Sequence, residues 1–137
     1  MNYHSFQPDK GGVIVRSADG LQAYYPRIAR LSDTEFLASF NASREIKTPD
    51  THPELARSVD GGLTWSMEGP VDPRSAEPMA PTEIGFLSRD ENGTLFCSGS
   101  HFPRNSSDPD GPLVHPKTVG MRDNRIVWRR STDGGHT

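Results

Sequence analysis

One eight-residue stretch, Ser58-Val59-Asp60-Gly61-Gly62-Leu63-Thr64-Trp65, returns at the end of the chain as Ser131-Thr132-Asp133-Gly134-Gly135-His136-Thr137. A turn built twice from the same residue types commits the chain to a repeated unit. The residues have local physical work. Gly61 and Gly62 tolerate the positive φ that hairpin turns demand, and the Ser58 hydroxyl and Asp60 carboxylate cap exposed backbone N–H groups. Thr64 suits the start of a strand, and Trp65 supplies a large apolar anchor. A catalytic Asp60 fits this setting poorly, because a carboxylate occupied by backbone N–H groups is a weaker base and stays ionised. The second copy assigns the same structural roles to Ser131, Asp133, Gly135 and Thr137.

The repeat extends upstream. "RIARLSDTEFLASF" (27–40) and "EIGFLSRDENGTLFCSGS" (83–100) each read as strand, polar turn, strand, aligning Ile28 with Ile84, Leu31 with Leu87 and Leu37 with Leu95. A third strand-like run then enters the turn. The offset is 56 residues at the front and 73 at the turn, which assigns the surplus to a long loop, His101 to Arg125, in the second unit. Units of about 24–70 and 80–137 result, in an all-β chain. Four short antiparallel strands recurring in this way form the blade of a β-propeller, whose sheets bury their faces only against neighbours. Two blades do not close a ring, and the second motif stops one position short of its Trp. The expectation is the N-terminal part of one larger propeller domain. "VIVRSADG" (13–20) approaches a third such turn but lacks its continuation, and reads as an ordinary strand and turn.

Composition agrees with a turn-rich β chain: 32% of the 137 residues are hydrophobic, and 13 Gly and 12 Pro disfavour long helices. A net charge of −3, from 15 basic and 18 acidic residues interspersed along the chain, offers no basic run to follow phosphates, so nucleic acid is not an expected partner. Cys97 is the single cysteine, which precludes an internal disulfide and reads as a small core residue. The start "MNYHSFQPDK" lacks a secretory pattern and no run approaches a membrane span, pointing to a soluble protein, cytoplasmic by default and not a membrane partner. Three Asn-x-Ser/Thr triplets, at Asn41, Asn92 and Asn105, read as chance. No cofactor is expected, and His101 and His115 lack metal-ligand spacing and read as solvated.

The Ser-x-Asp-x-Gly-x-Thr-Trp pattern resembles the Asp-box, or bacterial neuraminidase repeat, of the sialidase superfamily of six-bladed propellers. The box also marks other glycosidases and non-catalytic propellers. That resemblance implies further correspondences. The family has an Arg-Ile-Pro segment on its first strand, matched by Arg27 in "YPRIARL", with Ala29 in place of Pro. An Ala-Glu-x-Arg segment follows, matched at Arg44 by "NASR", and then an acid/base Asp about six residues on, matched at Asp50.

Topology places these residues together, because the start of strand one and the loop after strand two share one end of a sheet. Arg27, Arg44 and Asp50 are expected at that end, with Glu83 at the position of Arg27 in the second unit, and Asp60 at the opposite end. A planar guanidinium binds a carboxylate through two parallel hydrogen bonds, so paired arginines suit an anionic ligand, which the resemblance implies is an acidic sugar. Asp50 then serves as proton donor if a negative neighbour raises its pKa. The bland alternative makes Arg27 and Arg44 solvated surface residues and Asp50 a turn residue.

The functional expectation is an exo-glycoside hydrolase that removes terminal acidic sugars such as sialic acid from glycoconjugates. Sialidases use a Tyr nucleophile with a partner Glu. Tyr3, Tyr24 and Tyr25 precede the expected first strand of the first unit and match neither, so the chain alone is expected to be inactive. The alternatives are a non-catalytic propeller that binds glycans or proteins, or another Asp-box glycosidase acting on neutral polysaccharide.

Overall fold

A computed structural model describes residues 12–15, 20–45, 48–73, 80–104 and 111–137. The stretch Arg16 to Asp19, within the segment compared with a third turn, lies outside the described residues, as do Tyr3 and Asn105.

Seven strands follow one another: β1 Gln22–Arg30, β2 Phe36–Ser43, β3 His52–Ser58, β4 Ser66–Pro70, β5 Thr82–Arg89, β6 Leu95–Phe102 and β7 Arg125–Ser131. They form two antiparallel sheets, β1-β2-β3-β4 and β5-β6-β7, each in sequence order. No helix among the described residues is long and apolar enough to cross a membrane.

The two sheets share one frame. Phe36 opposes Ser58 and Leu95 opposes Ser131, so Phe36 and Leu95 are equivalent, an offset of 59 residues, whereas the sequence comparison pairs Leu37 with Leu95 and uses 56 at the front of the unit. On this register Arg27, opposite Ser39, corresponds to Phe86, opposite Ser98. The expected match of Glu83 to Arg27 is therefore corrected: Glu83 lies three residues nearer the strand start, opposite His101. The surplus in the second unit does fall between its second and third strands.

A second correction concerns β1, which starts at Gln22 rather than Arg27. The chain runs through Pro26 by means of a bulge between Tyr24 and Arg27, where Tyr25 adopts φ 56°. Proline is tolerated there because a bulge needs no ladder N–H. Arg27 thus sits within the strand.

Strand alternation divides the first sheet into two faces. One face turns Phe40, Ala42 and Ala56 toward Ile14, Val15 and Trp65. The other packs Ala29 and Leu37, with Leu55, against Leu87 and Leu95 of the second sheet. Leu95 occupies the position of Phe36, one residue from Leu37 and hence on the opposite face. The front of one sheet therefore meets the back of the next.

Polar groups complete this contact. The edge of β5 that β6 leaves unpaired is satisfied by the first sheet: Glu83 N–H donates to the Thr51 carbonyl at 2.8 Å, Gly85 N–H to Asn41 Oδ1 at 2.8 Å, and Leu87 N–H to Ser39 Oγ at 3.2 Å. Asn41 Nδ2 returns a bond to the Gly85 carbonyl at 3.1 Å. Ser39 and Asn41 are both fully buried, so the triplet at Asn41 is a docking residue. Gly85 must be small, because a Cβ there would lie 2.9 Å from Cys97 Sγ and 3.1 Å from Pro53.

Candidate functional site

The two repeated turns close in the same way. In the first, Ser58 Oγ accepts from Gly62 N–H at 2.8 Å and donates to Asp60 Oδ1 at 2.8 Å, while Asp60 accepts from the N–H groups of Leu63 and Thr64 and from the Thr64 hydroxyl at 2.6 Å. In the second, Ser131 bonds Gly135 and Asp133, and Asp133 accepts from His136, Thr137 and the Thr137 hydroxyl. Gly61 and Gly62 take φ 77° and 90°, and Gly134 and Gly135 take 75° and 90°. The hydroxyl and amide donors of Thr64, with Ser58, hold Asp60 down at about 2, and the Ser131 and Thr137 hydroxyls depress Asp133 likewise. These carboxylates are turn braces. Trp65 is half-buried rather than fully enclosed, and its Nε1 donates to the Gly62 carbonyl at 3.1 Å.

The opposite end, where β1 and β5 begin and β2 and β6 finish, gathers a different set. Asp50 accepts from the Thr48 hydroxyl at 2.5 Å and from Arg44 N–H at 3.1 Å, and Arg44 Nε lies 4.0 Å away. Burial pushes the Asp50 carboxyl up, but the hydrogen bonds from Thr48 and Arg44 outweigh it and leave it below the usual carboxylate value. Alone, Asp50 is therefore ionised at neutral pH. The ion pair with Arg44 adds little, since the two side chains are 84% and 41% exposed.

Arg27 bonds neither Asp50 nor Arg44. Its Nη1 donates to its neighbour's Pro26 carbonyl at 3.0 Å, and its guanidinium carbon lies 5.1 Å from the centre of the Phe86 ring, a cation–π contact. Phe86 in turn lies 6.2 Å from Tyr25, and Tyr25 5.1 Å from Tyr24. The Tyr24 hydroxyl meets Ser43 Oγ at 2.9 Å and Thr51 Oγ1 at 3.0 Å, next to Asp50. A continuous aromatic and hydroxyl rim thus links Arg27 to the Asp50 turn.

Glu83 is not on that rim as a free acid. It is buried, and its Oε1 accepts from His101 Nδ1 at 2.8 Å and Arg129 Nη2 at 2.9 Å. Arg129 also bonds Asp72 at 2.8 Å. Glu83 Oε2 is enclosed without a hydrogen-bond partner among the described residues. His101, read as solvated, is instead half-buried by this cluster. His115 is exposed, and its Nδ1 accepts from Lys117 and Thr118 N–H groups. Cys97 is buried, and burial pushes its thiol up to about 11, so it is an inert core residue. Among the described residues no group of three or more His, Cys, Asp or Glu is arranged to hold a metal ion.

Sequence reasoning missed His52. Its Nδ1 lies 2.7 Å from the Asp50 carbonyl oxygen and its Nε2 2.9 Å from Glu54 Oε1. The signal was present, since residues two apart on a strand share a face.

Strand order, register and site together define an all-β protein of two antiparallel sheets packed front to back, with turn braces at one end and an arginine–aromatic rim joined to a carboxylate turn at the other. No family model matches the chain, and no curated protein matches it. It is similar to the crystal structure of a protein of unknown function from Dyadobacter fermentans DSM 18053, with a TM-score of 0.64 at 18% identity. The likeness covers 91% of this chain and 37% of that one, so the chain spans little more than a third of that protein's length. At this identity the comparison speaks to fold.

Proposed function

We propose that the chain is part of a sialidase-like exo-glycoside hydrolase that acts on terminal acidic sugars, its two sheets being blades of a six-bladed propeller. The matching turns at one end of both sheets and the front-to-back packing support the blade reading. The observation that carries the acidic-sugar reading is Arg27, exposed, seated on Phe86 and bonded only to the adjacent carbonyl among its described contacts. A planar cation so placed has donors left for a carboxylate. The chain alone, with no match to the family's Tyr–Glu pair, releases no sugar.

One observation favours a second reading, a propeller that binds glycans without cleaving them. Asp50 is ionised and occupied by Thr48 and Arg44, which suits recognition better than proton donation. A bound sugar carboxylate beside Asp50 is the negative neighbour that would raise its pKa and restore the acid role.

Calorimetric titration with N-acetylneuraminate and with its uncharged relative N-acetylmannosamine tests the proposal. Charge-assisted hydrogen bonds contribute about 1.5–3 kcal/mol, so the acidic sugar should bind about 10–100-fold tighter. Equal affinity for the two sugars, or no binding of either, would remove the acidic-sugar reading.

A further inference from the structure

Two acceptors close on one imidazole at the start of β3. The Asp50 carbonyl, 2.7 Å from Nδ1 of His52, only accepts, so Nδ1 carries a proton. The Glu54 carboxyl, 2.9 Å from Nε2, therefore shares a second proton with the ring. With the carboxyl ionised the ring is an imidazolium bridging the two. The side chains of His52 and Glu54 are only 19% and 16% exposed, so water does not readily replace either contact. A ring that gave up the Nε2 proton would turn a lone pair on a carboxylate, and one that gave up the Nδ1 proton would release the carbonyl.

We propose that His52 is a proton-controlled positioning residue for Asp50: with both nitrogens protonated it ties the Asp50 backbone to Glu54 and so sets the carboxylate that holds Arg44, and loss of a proton frees that turn. Only its effect on sugar binding rests on the acidic-sugar reading; the coupling of His52 to Asp50 stands on the geometry.

The Glu54 hydrogen bond raises the proton affinity of His52 above its ordinary value of 6.5, against burial, with the Asp50 carbonyl and the charges of Glu54 and Asp50 assisting. A group whose folded pKa is raised contributes stability that is complete below its unfolded pKa and disappears as pH rises through the folded one. The turn is therefore held at mildly acidic pH and loosens as pH climbs past 6.5 toward the raised value. Among the described residues, the charged groups facing the ring are Glu54 and Asp50 on its own segment, with Arg44 beside Asp50. On the adjoining strands, His52 opposes Ala42, and Glu54 opposes Phe40 and Pro70, none of which titrates. Asp72, beyond β4, is engaged by Arg129.

Nitrogen-15 NMR of the full chain across pH 5 to 9, without sugar, is the test. The His52 ring should titrate above 6.5, with the amides of Arg44, Asp50 and Thr51 following the same midpoint. Glu54→Gln should move that midpoint down, and His52→Gln should abolish the pH response of those amides. A ring that titrates at or below 6.5, or amides indifferent to it, would overturn the proposal. N-acetylneuraminate separates the two ideas. Amides that follow His52 in a chain that binds no sugar uphold the coupling and sink the acidic-sugar reading, whereas amides that ignore the His52 midpoint in a chain that binds the sugar overturn the coupling and leave that reading standing.

Discussion

Asn41→Leu should lower the melting temperature by about 10–20 °C. The replacement has similar bulk, so the loss comes from the two backbone groups of Gly85 that Asn41 serves, both enclosed between the sheets. A buried polar group left unpaired costs about 1–3 kcal/mol, hence about 2–6 kcal/mol for the pair, and a domain of this size moves by about 3–5 °C per kcal/mol. Asn92→Ala is the control, since Asn92 is exposed and its only described hydrogen bond is made by its backbone N–H. It should shift the midpoint by no more than about 2 °C. If thermal scans give the two variants the same midpoint, Asn41 is not what holds β5 to the first sheet.

Arg57→Met should be the second large loss, about 2–3 kcal/mol in urea unfolding. Arg57 is buried and grips both Glu68 oxygens, at 2.5 and 3.0 Å, Glu35 at 2.7 Å, and the Gly134 carbonyl of the second sheet's turn at 2.9 Å. Breaking a fully buried ion pair costs about 3–5 kcal/mol, but Glu35 and Glu68 keep 35% and 28% of their side chains in water, which softens the penalty. The bond to Gly134 gives the variant a distinctive signature: the amides of Gly134 and Gly135 should exchange with solvent faster than those of Gly61 and Gly62. Arg57→Lys should not rescue it, because a single ammonium does not reproduce the fork that reaches three partners. An unfolding midpoint unchanged by Arg57→Met would contradict the account of how the second turn is anchored.

The repeated turns were legible because their side-chain hydrogen bonds close within each turn, Ser58 on Asp60 and Gly62 and Asp60 on Leu63 and Thr64. The strands were legible for the same local reason. Arg27 was misplaced because Pro26 reads as a strand boundary, whereas a bulge carries β1 through it. The comparison of the two units slipped for another reason: matching Ile28 with Ile84 opens a gap in the hairpin turn, whereas residues 31–35 and 90–94 form turns of equal length, so Glu83 took the place that belongs to Phe86. Ser39 and Asn41 gave no warning, since their partners are backbone groups of β5 more than forty residues away and a buried polar residue is recognisable only once its partner is present. Glu83 and His101 illustrate the same limit, because the buried Glu83 that holds His101 is paired with Arg129 from β7, more than forty residues away.

Arg27 is the proposed anion contact of the rim, and Arg27→Met tests that role most directly. Arg27 is exposed, and its described partners are a neighbouring carbonyl and an aromatic face, so the variant should fold as the parent does. Its affinity for N-acetylneuraminate, measured by calorimetry beside the parent, should fall about 10–100-fold. An affinity equal to the parent's, with the melting temperature unchanged, would contradict the assignment of this rim to acidic sugars.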